Sequence, residues 1–240
     1  MNEAFLRMES LLGREAMDKL AQSHVAVLGL GGVGSWAAEA LCRAGVGTLT
    51  LMDSDTVGLS NMNRQLYALH STVGLPKAEV AAARCRDIAA DVTVYPIVGT
   101  YDAAHRDEFF CRDYDYIVDC IDLVSCKLDL IEQARARRIP ILCALGTGNK
   151  LDAASLQVAD IAKTYGCPLA RVMRKELRNR GIHHLKVVFS PEEPHEAQQT
   201  EAPPQGRRSI PGSVVWVPAT AGLLMAQTVV EDLVKEGADT

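Results

Sequence analysis

The residues able to do chemistry fall in short stretches, each following an apolar run. GLGGVGS (29–35) sets Gly29, Gly31 and Gly34 in a G-x-G-x-x-G spacing, with Gly32 inside it. Glycines so placed make a tight bend, let backbone N–H groups approach a phosphate, and allow a helix to close on a strand. Asp53 stands after the next apolar run, where an acid meets a ribose hydroxyl. The polar loop that follows carries Asp55, Asn61, Asn63, Arg64 and Gln65. Lys77 follows Pro76 at the start of a helical pattern, which aims its cation back toward the loop. DCID (119–122) ends another apolar run, and Asp122 there can hold a hard cation through oxygen and water ligands. Together these groups suit a nucleotide and the neutralisation of its phosphates.

Each also has a plainer reading. The glycine spacing serves NAD, FAD and ATP alike. Lys77 alone is a solvated lysine, and Asp122 alone caps a helix.

The elements needed to position these residues are legible as periodicities. The leader 5–20 breaks near Gly13 into two short amphipathic helices. Apolar runs at 25–28, 49–52, 92–98, 116–122 and 139–145 alternate with helical patterns at 35–41, 78–90, 102–111 and 127–138. Strands that are apolar throughout belong to a parallel sheet covered on both faces, so the fold class is α/β: a doubly wound, mostly parallel sheet with a Rossmann-like nucleotide-binding half. Residues 156–160 alternate as a strand of an antiparallel extension, and 214–217 read as a strand leading into a helix over 219–234. The expected organisation is one domain over 1–240, with a nucleotide-binding half (1–150) and a substrate-facing half (151–240).

The chain has 240 residues, 48% hydrophobic and 23% charged, with a net charge of −5, as an ordinary globular protein has. Its seven cysteines are scattered and form no C-x-x-C pair, which argues against a tetracysteine zinc site and for a reducing, cytoplasmic setting. The leader has no apolar core segment of the kind a signal peptide carries. Residues 214–230 lack charge but fall short of a bilayer span, so a core helix is expected and a membrane contact is not. Between Lys163 and Lys186 basic residues crowd one stretch, and Arg171, Arg174, Lys175 and Arg178 share a helix face opposite an apolar one. Such a stripe is most often a solvated face, yet in an acidic chain it is the plausible landing place for a polyanion. The segment 190–213, rich in Pro, Glu and Gln, reads as a mobile loop.

The motifs GLGGVGS, DSDTVGLSNMNRQ, GLPKAEV and DCID, in this order, resemble the superfamily of activating enzymes that adenylate carboxylates. ADIAKTYGCPLARVMRKELRNRGI and SIPGSVVWVPATAG extend the likeness over nearly the whole chain, to the branch of tRNA threonylcarbamoyladenosine dehydratases. The resemblance implies ATP and Mg2+, with an acyl-adenylate formed on the threonylcarbamoyl carboxylate next to the tRNA anticodon, then ring closure and loss of AMP. By the same resemblance Gly31 and Gly32 approach the phosphates, Asp53 takes the ribose, Asn61 and Arg64 meet the phosphates, Lys77 serves the α-phosphate, and Asp122 holds magnesium. It implies a homodimer in which Arg7 reaches the partner's ATP, and sulfur-relay proteins as further partners. Met8, Cys167 and the acidic segment 190–206 depart from the branch's usual pattern and bear on substrate contacts rather than on ATP. The alternatives are an adenylyltransferase acting on the C-terminal carboxylate of a small ubiquitin-like protein, a nucleotide-dependent oxidoreductase, and a non-catalytic nucleotide-binding module.

Overall fold

The computed structural model describes residues 3–198 and 210–235. The leader forms α1 (Leu6–Leu12) and α2 (Arg14–Gln22), broken at Gly13, whose φ of +84° is open to glycine without the usual Cβ clash. Then come β1 (His24–Leu28), α3 (Gly34–Arg43), β2 (Thr48–Asp53), α4 (Lys77–Ile88) and β3 (Thr93–Val98). The second winding contains α5 (Arg106–Phe109), β4 (Tyr116–Asp119), α6 (Val124–Ala136) and β5 (Ile141–Ala144). The five strands are parallel, in the order β3-β2-β1-β4-β5.

Covered faces explain the apolar strands. Val25 and Val27 pack on one side with Leu41 of α3 and Ala81 of α4, whereas Ala26 and Leu28 pack on the other with Leu130 of α6. The winding reverses between β1 and β4, and there a crevice opens at the strands' carboxyl ends.

Beyond β5 the sheet gains β6 (Gln157–Asp160) and β7 (Lys186–Phe189) around α7 (Pro168–Asn179). The antiparallel expectation holds for β6, which pairs with β7. β7 itself, parallel to β5 and inserted between β5 and β6, was not foreseen. KVVF is too short to display a period, and only its burial between two strands makes it one.

The expected strand over 214–217 does not form. Trp216 begins α8 (Trp216–Lys235), and Pro218 sits in its first turn, where the missing N–H has no intrahelical acceptor to lose. Helix is preferred because α8 lies on α3: a Cβ on Gly222 would stand 2.4 Å from Val33 O. α8 is long and apolar enough to cross a membrane, but 56% of its apolar window is buried within the fold, as a core helix requires.

Of the expected mobile segment 190–213, residues 199–209 lie outside the described residues. Its described flanks are tied down. Lys150 Nζ donates to Ser190 O at 2.8 Å and to Glu192 O at 2.6 Å, while Asn149 exchanges hydrogen bonds with Gly212.

Candidate active site

The glycine turn joins β1 to α3 and rests on the end of β4. Gly29 has φ +86°, and a Cβ there would stand 2.6 Å from Cys120 O; at Gly34 it would stand 1.8 Å from Gly29 O. These two glycines are required by packing. Gly31 differs, because the nearest atom to its Cβ position is Gln65 Nε2 at 3.9 Å. Its open side faces a cavity of about 850 Å³ at the β1–β4 crevice.

That cavity gathers most of the residues singled out from sequence. Gly29, Gly31, Gly32, Gly34, Asp53, Asp55, Asn61, Arg64, Gln65, Lys77 and Asp122 all line it. Asp53, the last residue of β2, accepts the N–H of Leu30 at 2.6 Å and of Asp55 at 2.8 Å, so its carboxylate is oriented by backbone and keeps lone pairs for a ribose hydroxyl. Lys77 begins α4, where a cation opposes the helix dipole. Its buried ammonium is held by Asp55 Oδ2 at 2.8 Å, and Asp55 is largely exposed. A cation placed against its helix and secured by an acid at the cavity wall is poised to meet a stronger anion.

The loop 58–65 is shaped by its own polar groups. Asn61 Oδ1 accepts the Gly58 N–H at 3.0 Å, and Arg64 Nη1 donates to Ser60 O at 2.8 Å and Asn63 Oδ1 at 3.0 Å. Arg64 is fixed further by Trp36, whose indole N–H donates to its carbonyl at 3.2 Å. Asn63 does not line the cavity; its amide donates to Ser213 O at 2.9 Å and so fastens the distant 210–213 segment beside the loop.

Asp122 is exposed at the cavity wall. It is not a helix cap, because α6 begins after Leu123 without a side-chain cap. A single free carboxylate beside a phosphate turn fits magnesium, which is commonly held by one or two carboxylates, waters and the substrate's own phosphates. Among the described residues no group of three or more His, Cys, Asp or Glu could hold a metal by itself. Beneath Asp122, Asp119 and Lys127 form a buried ion pair. Burial is the largest single influence and penalises the Lys127 charge, but the charge and hydrogen bond of Asp119, with the neighbouring Cys143 and Cys120, together raise its pKa. Burial pushes the Cys120 and Cys143 thiols up, which leaves both protonated and unsuited to act as nucleophiles.

Arg7 lies on α1, exposed and away from this cavity. Arg171, Lys175 and Arg178 are exposed on α7, while Arg174 is half-buried and gives Nη1 to Thr164 O at 2.7 Å. Sequence reasoning missed the wall formed by Gly146–Gly148 and Ile210–Ser213, and Tyr101, whose hydroxyl donates to Asp129 at 2.7 Å. The glycines at 146 and 148 and the SIPGS stretch of the resemblance motif were the local signals for that wall.

Comparison with known proteins agrees with this geometry. The ThiF family model matches residues 6–239. The tRNA threonylcarbamoyladenosine dehydratase of Bacillus subtilis is 41% identical over 245 aligned positions, covering 98% of this chain and 96% of that protein. The solved structure of the Escherichia coli tRNA N6-threonylcarbamoyladenosine dehydratase, TcdA, in complex with ATP superposes with a TM-score of 0.88 at 34% identity, covering 98% of this chain and 96% of that one. The Escherichia coli molybdopterin-synthase adenylyltransferase is 35% identical, but over only 53% of this chain and 51% of that protein. The chain therefore belongs to the ThiF family, and its end-to-end likeness within that family is to the tRNA threonylcarbamoyladenosine dehydratases.

Proposed function

We propose that this chain is an ATP-dependent dehydratase of threonylcarbamoyladenosine in tRNA. The observation that carries the reading is the match along the whole chain to dehydratases, set on a cavity holding an adenylation constellation. A carboxylate oxygen of the threonylcarbamoyl group attacks the α-phosphate of ATP and pyrophosphate leaves. A neighbouring atom of the same modification then attacks the acyl carbon, and AMP departs with the former carboxylate oxygen. The net change in the nucleoside is loss of one water.

The chain's residues serve that sequence by positioning and neutralisation, since carboxylate and triphosphate repel. Backbone at Gly31 and Gly32 approaches the phosphates, Asp53 holds the ribose, and Asn61 and Arg64 steady the phosphates. Lys77 leaves Asp55 for charge building at the α-phosphate. Asp122 would hold Mg2+, which supplies further charge neutralisation to the phosphates when bound. In a homodimer, Arg7 of a second copy would add a cation to the same phosphates. The nucleotide sits mostly against residues of 1–150, with Ile210–Ser213 and Pro218 closing the wall, and the tRNA lies along α7 of the other half. Sulfur-relay proteins and a cytoplasmic setting remain with the family likeness.

The test is pyrophosphate release by the purified protein, given ATP and tRNA with or without the threonylcarbamoyl group. Release only with modified tRNA, with an 18 Da loss from the nucleoside (about one water's mass), is the expected result. ATP binding without release from either tRNA would overturn it and move the assignment to the carboxylate of a small protein.

A further inference from the structure

Trp216 is 50% exposed although it begins the most apolar helix of the fold, whose neighbours Val217 and Ala221 are fully buried. It is nonetheless held in place. Its indole N–H donates to Leu151 O at 2.7 Å, and the Leu151 N–H is itself accepted by Glu192 at 2.9 Å. On its other side the chain is fastened by the Asn63 amide on Ser213 O, and by Pro218, whose Cβ lies 3.2 Å from the Cβ position of Gly32. Ser213 and Pro218, which bracket Trp216, both line the nucleotide cavity. The ring does not itself line the cavity; it lies beside the chain that walls it, next to Leu151 and Val215, which are 52% and 41% exposed.

A fixed, exposed aromatic face beside the segment that walls a site acting on a nucleoside suits base stacking. To enter the cavity, an adenosine in an unpaired loop must leave its stack, and the base beside it loses a stacking partner. Aromatic side chains replace that partner whatever the base, because every base has a π-face.

We infer that Trp216, flanked by Leu151, is a stacking platform for the unpaired base next to the modified adenosine. The inference rests on the tRNA reading above and adds a binding residue to it. Trp216 does not touch the reacting atoms, so its loss weakens RNA binding and leaves ATP binding intact.

The experiment compares the full-length wild type with Trp216→Phe and Trp216→Leu. Affinity for modified tRNA is measured by fluorescence anisotropy, ATP affinity by calorimetry, turnover by nucleoside mass spectrometry, and subunit state by sedimentation. Trp216→Leu is expected to weaken tRNA binding roughly 5- to 150-fold, the loss of one stacked base. Trp216→Phe keeps a π-face but not the N–H, so it should stay within about threefold of wild type. ATP affinity and sedimentation should not change. Equal tRNA affinity for Trp216→Leu and wild type, with the wild type active, overturns the platform alone. Trp216→Phe as weak as Trp216→Leu assigns the residue to its hydrogen bond with Leu151, and altered sedimentation assigns it to a subunit contact; either overturns the inference. A wild type that neither binds nor dehydrates modified tRNA removes the tRNA reading itself, and this inference with it.

Discussion

Lys127 Nζ stands 2.7 Å from Asp119 Oδ2, with both side chains wholly shielded from solvent. The pair ties the first turns of α6 to the end of β4, under the short loop that carries Asp122. The other carboxylate oxygen of Asp119 accepts the Ile121 N–H at 3.0 Å, so the same residue holds the loop and neutralises the lysine. Removing one partner strands a buried charge at a cost of about 3–5 kcal/mol. Lys127→Met should therefore lower unfolding stability in urea by that amount. The double variant Asp119→Leu, Lys127→Met, which strands no charge, should regain most of it, yet bind Mg-ATP more weakly because the Asp122 loop has lost its acceptor. Equal stability of the single and double variants would sink the argument.

The glycines of the turn separate by what a methyl group meets. Gly34→Ala pushes a carbon to 1.8 Å from Gly29 O and should cost several kcal/mol of stability by backbone strain. Gly31→Ala has 3.9 Å to its nearest neighbour and should fold with a near-normal urea midpoint. Its ATP affinity should nonetheless drop by about 1.5–3 kcal/mol if backbone approach to a charged phosphate is lost. Calorimetry with ATP on the folded variant reads this directly.

Lys77 and Asp55 should not be equivalent, despite sharing one ion pair. Lys77→Ala removes the cation that would meet the α-phosphate and should lower kcat by about 10²–10³, as loss of a preorganised transition-state group does. Asp55→Ala keeps the cation while removing its resting partner and should change turnover much less. Pyrophosphate release from the two variants distinguishes them, and equal losses would mean that the pair acts only as a structural clamp.

On α7, Arg171 and Arg174 differ in what they already hold. Exposed Arg171 is free for a phosphate, so Arg171→Glu should weaken tRNA binding and reduce the salt dependence by about one contact, a slope change near 0.7–0.9. Arg174→Glu also forfeits its hydrogen bonds to Thr164 and should lose about 1–3 kcal/mol of stability as well. Identical salt slopes for wild type and Arg171→Glu would remove α7 from the tRNA surface.

Much of the fold and site is written locally. The winding of β1 to β5 follows from apolar runs alternating with helical periods, and the cavity's glycines, Asp53, Asn61, Arg64, Lys77 and Asp122 follow from motifs a few residues long. For these, the residue type and the adjacent backbone already dictate the geometry. Tertiary structure alone decided that KVVF becomes β7, that VVWV yields to α8, and that Asn63 turns from the cavity to a carbonyl 150 residues away. It also decided that Asp119 spends its charge on Lys127 and that Ile210–Ser213 closes the cavity wall. Periodicity records that a face must be buried, but not which distant element covers it; that choice belongs to packing and to the pairing of buried polar groups.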